Sequence, residues 1–282
     1  MTKRILENWL PSALTKMLID FNDGQKFMRY PTKELLAKNI NHKNEGRGKR
    51  AFLLATGPSI KNENLKVLAG EDCFSLSNFF LHEDIKTVNP KFHFFPPYHE
   101  PLILENYIEW LHKGDQELPT ETKIFLGHSV YEIVRECNLF ANREVYYLYL
   151  SESANSRKVD LTKLVLRPQS GPLMILPVLI YMGYEKIYLL GCDHTVLRDF
   201  KKAITHFYNS DKDPRINASD ASTWGNIVLE HKASLNVFMQ YDFYEKMIEQ
   251  NENISVINLS SDSWLDTFNF GSLKEVIRNN PD

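Results

Sequence analysis

The sequence predicts an α/β protein: a Rossmann-like, mostly parallel sheet with helices on both faces. Three observations predict it. Short apolar runs alternate with amphipathic stretches, several runs are apolar throughout as strands buried on both faces must be, and no internal repeat or low-complexity tract points elsewhere. The 282 residues are 43% hydrophobic and 24% charged, enough for the core such a sheet needs.

Residues 1–50 read as an N-terminal helical extension followed by a basic loop. The helix would carry Ile5, Trp9, Leu10, Leu14, Met17 and Leu18 on one side. Such a stripe either packs on the domain, the plainer reading, or lies on a membrane surface. Glu7, Pro11 and Lys16 interrupt any signal-peptide core or membrane-spanning run. Lys38 to Arg50, almost free of apolar residues, reads as a loop.

The domain proper, 51–282, opens with "RAFLLAT". "DCFSLSN", "KFHFFPP", "TKIFLGH", "EVYYLYL", "KIYLLGCD" and "ISVINLS" read as further strands. "YIEWLHK", "VYEIVREC" and the run from Asn226 to Gln250 read as helices. In "SGPLMILPVLIYMGYEKIYLLGCDH", a helix from Pro172 to Tyr184 is apolar almost all round, with a kink expected at Pro177 and a stop at Gly183. The strand after it ends at Cys192-Asp193-His194.

Composition excludes several function classes. A formal charge of -3 argues against a polyanion as the main partner. Cys73, Cys137 and Cys192 form no CxxC pair, which fits a reducing, cytoplasmic setting and neither a disulfide framework nor a thiolate metal site. GxGxxG and GxxxxGK[ST] are both missing. Asp211-Lys212-Asp213 spells DxD, but in a polar stretch that reads as a solvated loop. His93, His99 and His128 lack zinc spacing.

The break Thr56-Gly57-Pro58-Ser59 after the first strand has two readings. One is a plain strand-to-helix turn. In the other, Gly57 lets the backbone approach a ligand, Ser59 donates its hydroxyl, and the amides of the next helix meet a phosphate. The residues alone leave both open.

"LLATGPSIK", "FSLSNFF" and "RPQSGPLMILPVLIYMGYEKIYLLGCDH" together resemble the bacterial lipooligosaccharide sialyltransferases and the wider family that includes the flagellin-glycosylating motility accessory factors. The resemblance runs from about Ala51 to Val276, through four short motifs. It implies a variant single-nucleotide-domain glycosyltransferase fold and an inverting transfer without a metal or other cofactor. The implied donor is CMP-sialic acid or a related nonulosonate such as CMP-Kdo, and the implied acceptor a surface glycan, lipid-linked or free, reached at the inner membrane face. Thr56, Gly57, Pro58 and Ser59 would form the phosphate turn, Asn78 would bond donor or nucleotide, and Gln169, Ser170 and Gly171 would face CMP. Asp193 ends the Gly-x-Asp motif, where its rival role is tying down the adjacent loop.

The chain departs from the family at two places. Thr195 stands where the family has a tyrosine that assists the departing phosphate, so Tyr208, His194 or His206 would have to serve. Prolines in "FHFFPPYHE" replace a second asparagine. The base is expected to be a histidine, His231 or His206, with His194 third. His231 shares a helix side with Val228, Leu235 and Phe238; His206 and Tyr208 sit in 195–225, read as a lid. Arg167 either forks a sugar carboxylate or phosphate or makes a surface salt bridge. The competing expectations are a hydroxymethylpterin pyrophosphokinase and a non-catalytic nucleotide-sugar or glycan-binding partner.

Overall fold

In the computed structural model, which describes residues 12–30, 33–99, 102–153, 158–200, 202, 206–215, 226–250 and 253–278, nine strands form a single parallel sheet. They are β1 (Arg50–Leu54), β2 (Asp72–Leu76), β3 (Phe92–Phe95), β4 (Lys123–Gly127), β5 (Val145–Ser151), β6 (Leu164–Leu166), β7 (Lys186–Leu190), β8 (Ser255–Asn258) and β9 (Asn269–Phe270). Their order is β6-β5-β4-β3-β2-β1-β7-β8-β9, so the chain builds outward from β1, then returns to add β7 on its other side. That reversal puts a topological switch point between β1 and β7. Leu54 pairs with both Ser75 and Leu190, so β1, β2 and β7 end level and their following residues share one rim.

The helices are α1 (Ser12–Met28), α2 (Glu34–Ala37), α3 (Ile85–Val88), α4 (Leu104–Glu117), α5 (Tyr131–Glu136), α6 (Pro172–Met182), α7 (Ile227–Glu249) and α8 (Leu273–Arg278). Alternate β1 residues face opposite ways: Ala51 and Leu53 pack in the core layer that holds α6 and the second half of α7, while Phe52 and Leu54 join the layer of α4, α5 and α8. An all-parallel sheet must be covered on both faces, which is why its strands are apolar without alternation. Only Ile180 of α6 escapes full burial, and Gly183, at φ +75, ends the helix as expected.

The structure corrects three expectations. β6 and β9, three and two residues long, are too short to show a pattern and were not foreseen. The segment from Lys38 is no open loop: Lys38–His42 is a 3-10 helix whose Asn39, fully buried, donates to the carbonyls of Tyr147 and Leu161 at 2.9 and 2.8 Å. Polar residues here bond backbone that would otherwise be orphaned. Finally, α1 docks through another side than the sequence stripe. Phe27 and Tyr30 pack edge-on against Tyr149, and Asp23 accepts the Ser151 hydroxyl, while Leu14, Met17 and Leu18 are exposed. Ile5, Trp9 and Leu10 lie outside the described residues, as do 201, 203–205 and 216–225 of the expected lid. No helix among the described residues is long and apolar enough to cross a membrane.

Candidate functional site

The break after β1 is clasped to the end of β7. Gly57 donates its amide to the Gly191 carbonyl at 2.9 Å. Ser59 donates its amide to Oδ2 of Asp193 at 2.8 Å and its hydroxyl to Oδ1. A Cβ on Gly57 would stand 2.4 Å from the Gly191 oxygen and 2.7 Å from the Asp193 carboxyl, so only glycine allows the two strand ends to meet. The sequence expectation differs here: the protein's own carboxylate occupies the 3-10 helix start (Pro58–Asn62) assigned to a phosphate, and Gly57 approaches backbone rather than ligand. Burial pushes the Asp193 carboxyl above its ordinary pKa, with the Ser59 hydrogen bonds opposing. Thr56, Gly57 and Pro58 remain only half-buried.

Residues 206–215 form a strap across this rim. Phe207 donates its amide to the Thr56 carbonyl at 3.2 Å, and the His206 imidazole lies beside the Thr56 backbone. The His206 and Tyr208 rings stack, centroids 5.0 Å apart. Burial lowers the His206 pKa and raises that of Tyr208 to about 12, even though its hydroxyl reaches Asn78. Asn78 is fully buried: Oδ1 accepts from the Trp110 indole N–H, and its amide donates to Asp213 at 2.6 Å. Asp213 in turn holds Arg215 by two contacts of 2.9 and 2.7 Å, with the guanidinium 3.7 Å above the Trp110 ring. Asp213 is therefore not the solvated loop residue expected, because Arg215 and Asn78 satisfy its carboxylate inside. Asp211 is exposed. Trp110, Asp213 and Arg215 are the members of this cluster that sequence reasoning missed; the Asp-Pro-Arg spacing was the available signal.

Ser170 and Gly171 open α6 beside the same rim. A Cβ on Gly171 would lie 2.6 Å from Leu76 of β2, so glycine brings the helix start against the strand end. Gln169 donates its amide to Gln240 of α7 at 2.8 Å, and Gln240 donates back to the Arg167 carbonyl at 3.2 Å, bracing the segment. The Ser170 hydroxyl is buried without a partner in hydrogen-bond geometry, although the Tyr241 hydroxyl stands close by. Tyr241 bonds Nε2 of His194 at 2.9 Å. His194 sits at φ +51, a strained conformation for a non-glycine residue, and burial lowers its pKa to about 4. A cleft of about 340 Å³ opens here, lined by Tyr98, His128, Arg167, Ser170, Gly171 and Met174 among others. Arg167 is exposed, its Nε 3.7 Å from Glu152.

The remaining candidates lie elsewhere. His231 is exposed on the first turns of α7, its Nδ1 2.8 Å from the Ile227 carbonyl. Val228 and Leu235, expected to line a pocket with it, are 69% and 57% exposed; Phe238 packs inward. Thr195 bonds Asp199 through its carbonyl and hydroxyl. His93 is fully buried, 2.7 Å from the Ser75 hydroxyl and 2.9 Å from the Ser77 carbonyl, and so supports the Ser77-Asn78 corner, where Ser77 has φ +54. His99 is exposed. No cluster of three metal-ligating side chains exists among the described residues.

Fold and rim together define a doubly wound α/β protein with polar groups gathered at its switch point. No family model matches the chain, and no curated protein does. Among solved structures, the sialyltransferase CST-II in complex with a trisaccharide acceptor and CMP is similar at 17% identity over 79% of this chain and 85% of that one, with a TM-score of 0.42. The sialyltransferase CstII from Campylobacter jejuni in complex with a substrate analogue, cytidine-5'-monophosphate, is similar at 15% identity, 79% and 85% coverage and a TM-score of 0.40.

Proposed function

We propose that this chain is a glycosyltransferase that moves sialic acid or a related nonulosonic acid from its CMP-activated form to a hydroxyl of a bacterial surface glycan. One observation supports the reading above all. The Gly57-Pro58-Ser59 bend, Asn78, the Ser170-Gly171 helix start and Asp193, far apart in sequence, converge on the strand-end rim around the β1–β7 switch point, and Ser170 and Gly171 of that set also line an open cleft over the ends of β3 to β6.

In this reading Asp193 makes the bend a rigid wall, and the nucleotide lies against its half-exposed outer side. Ser170 and Gly171 bring the α6 start to the nucleotide, and Arg167 forks the phosphate or the sugar carboxylate. The strap carrying His206 and Tyr208 is the lid. The acceptor oxygen bonds to the anomeric carbon as the carbon–oxygen bond to phosphate breaks. CMP leaves with the electron pair, a histidine takes the acceptor proton, and attack from the face opposite CMP inverts the anomeric centre. A monophosphate leaving group carries less charge than a diphosphate, so the reading needs no divalent ion.

Calorimetry with CMP, CDP and UDP, followed by transfer from CMP-N-acetylneuraminate in EDTA, tests it. CMP binding and EDTA-resistant CMP release are expected. UDP binding without a response to CMP overturns the donor class, and a need for magnesium and ATP transfers the case to a pyrophosphokinase.

A further inference from the structure

His128 stands where β4 gives out. The β4–β5 ladder ends with Gly127 opposite Leu148, so the buried amide of Leu150, two residues further along β5, has outrun its neighbour's backbone. A buried amide needs an acceptor, and Nδ1 of His128 lies 3.2 Å from it. The same nitrogen is 3.3 Å from the Leu148 carbonyl, to which a protonated Nδ1 would donate instead. A neutral ring nitrogen cannot do both. The amide decides between them, since an N–H has one bond to give, whereas a carbonyl with two lone pairs tolerates partial satisfaction. Nδ1 is therefore the acceptor, and the ring proton sits on Nε2.

The ring is held in place on several sides. It stacks on Tyr149 with centroids 3.8 Å apart and meets Tyr30 edge-on at 5.1 Å, while the Tyr30 hydroxyl donates to the carbonyl of His128 at 3.1 Å. Burial lowers its pKa against a weaker pull from the Leu148 carbonyl, and the nearby Arg167 cation adds to the lowering. Nε2 has no partner among the described residues and is not a buried atom, and His128 lines the cleft with Arg167 and Ser170.

We infer that His128 is a fixed hydrogen-bond donor to an oxygen of the transferred sugar, acting through Nε2–H as a neutral imidazole and not as a base. The inference rests on the glycosyltransferase reading and deepens it. The cleft takes the sugar half of the donor, and His128 and Arg167 meet its carboxylate and hydroxyl oxygens as two donors. An anionic, oxygen-rich sugar suits a wall of donors better than a neutral apolar group does.

The test separates nucleotide from sugar. His128→Asn retains an acceptor for the Leu150 amide and loses the distal N–H; His128→Gln returns a donor near the Nε2 position. Calorimetry uses CMP and a non-transferable fluorinated CMP-N-acetylneuraminate. The wild type is expected to bind the sugar nucleotide more tightly than CMP. His128→Asn should bind CMP unchanged but lose about tenfold of the sugar-dependent gain, with His128→Gln recovering most of it. A full sugar gain in His128→Asn overturns the assignment, and so does a ring-nitrogen NMR spectrum of the wild type showing Nδ1 protonated at neutral pH. That spectrum decides the point even where a variant fails to fold. Failure of the wild type to bind CMP is a separate result, which removes the donor reading and this inference with it.

Discussion

Ser59 gives both its amide and its hydroxyl to the Asp193 carboxylate, so the ends of β1 and β7 are joined across the switch point by a side chain as well as by backbone. Asp193→Ala leaves two buried donors unmatched and is expected to cost about 1–3 kcal/mol in urea unfolding. Asp193→Asn keeps an acceptor and should cost less. Because burial raises the folded-state pKa of Asp193 above 3.8, its stabilising contribution is full below that value and is lost as pH rises through the folded value. The asparagine variant should therefore gain on the wild type from about pH 4 toward neutrality. A constant difference between the two melts across that range would contradict this.

Gly57→Ala puts a methyl group against the Gly191 carbonyl and the Asp193 carboxyl at once. Neither is the loose end of a flexible side chain, so overpacking should cost about 1–3 kcal/mol, and CMP affinity should fall as the bend is displaced. A variant as stable as the wild type would show that the strand ends separate freely.

The sheet was legible because an all-parallel core demands apolar runs, and the runs at β1, β7 and α6 have no polar interruption to disguise them. The bend and Asp193 were legible as positions but not as partners: a carboxylate more than a hundred residues away gives no local sign that it will fill a helix start. The strap was misjudged for a related reason. Asp213 and Arg215 look like surface charges in "DKDPR", and only the burial of Asn78 and the Trp110 face turns them into an internal pair.

That pair makes the strap acid-sensitive in a defined window. Burial alone would raise the Asp213 pKa, but hydrogen bonds and charge from Arg215, with help from Asn78, hold it below 3.8. A depressed carboxylate stabilises above its unfolded value and loses that contribution as pH falls through the folded one. Amide exchange at Phe207 and Arg215 should accelerate only below about pH 4 in the wild type. Arg215→Ala leaves the buried carboxylate unpaired, a loss of about 3–5 kcal/mol, and should open the strap to protease at neutral pH. Equal cleavage of variant and wild type would show that the pair is not the latch.

His194 sets a second, higher window. Its folded pKa of about 4 lies below the ordinary 6.5, so the folded protein resists protonation that the unfolded chain accepts. Stability is full above about pH 6.5 and declines toward pH 4, at about 1.4 kcal/mol per unit for one histidine. His93, held near 3 by burial, adds to the same slope. His194→Gln should flatten the decline in urea midpoints, and an unchanged slope would move the effect to the other histidines whose pKa burial lowers, His82, His93, His128 and His206.

Under the proposed transfer, the three candidate histidines differ in their surroundings. His194 is engaged with Tyr241 and holds its proton too weakly to accept one near neutral pH. His231 donates from Nδ1 to its own helix at Ile227, which leaves the lone pair on Nε2 facing outward from an exposed turn. His206 lies beside the Thr56 backbone and stacks on Tyr208, so it belongs to the lid as well as to the rim. The two should therefore differ in kind. If His231 carries the proton transfer proposed above, His231→Ala lowers kcat by about 100-fold with little change in the donor KM, and an unchanged kcat excludes it. His206→Ala should raise the donor KM by loosening the strap and leave kcat nearly unchanged. A collapse of kcat in His206→Ala instead would exchange the two roles, and full activity in both variants would remove both residues from the proton transfer.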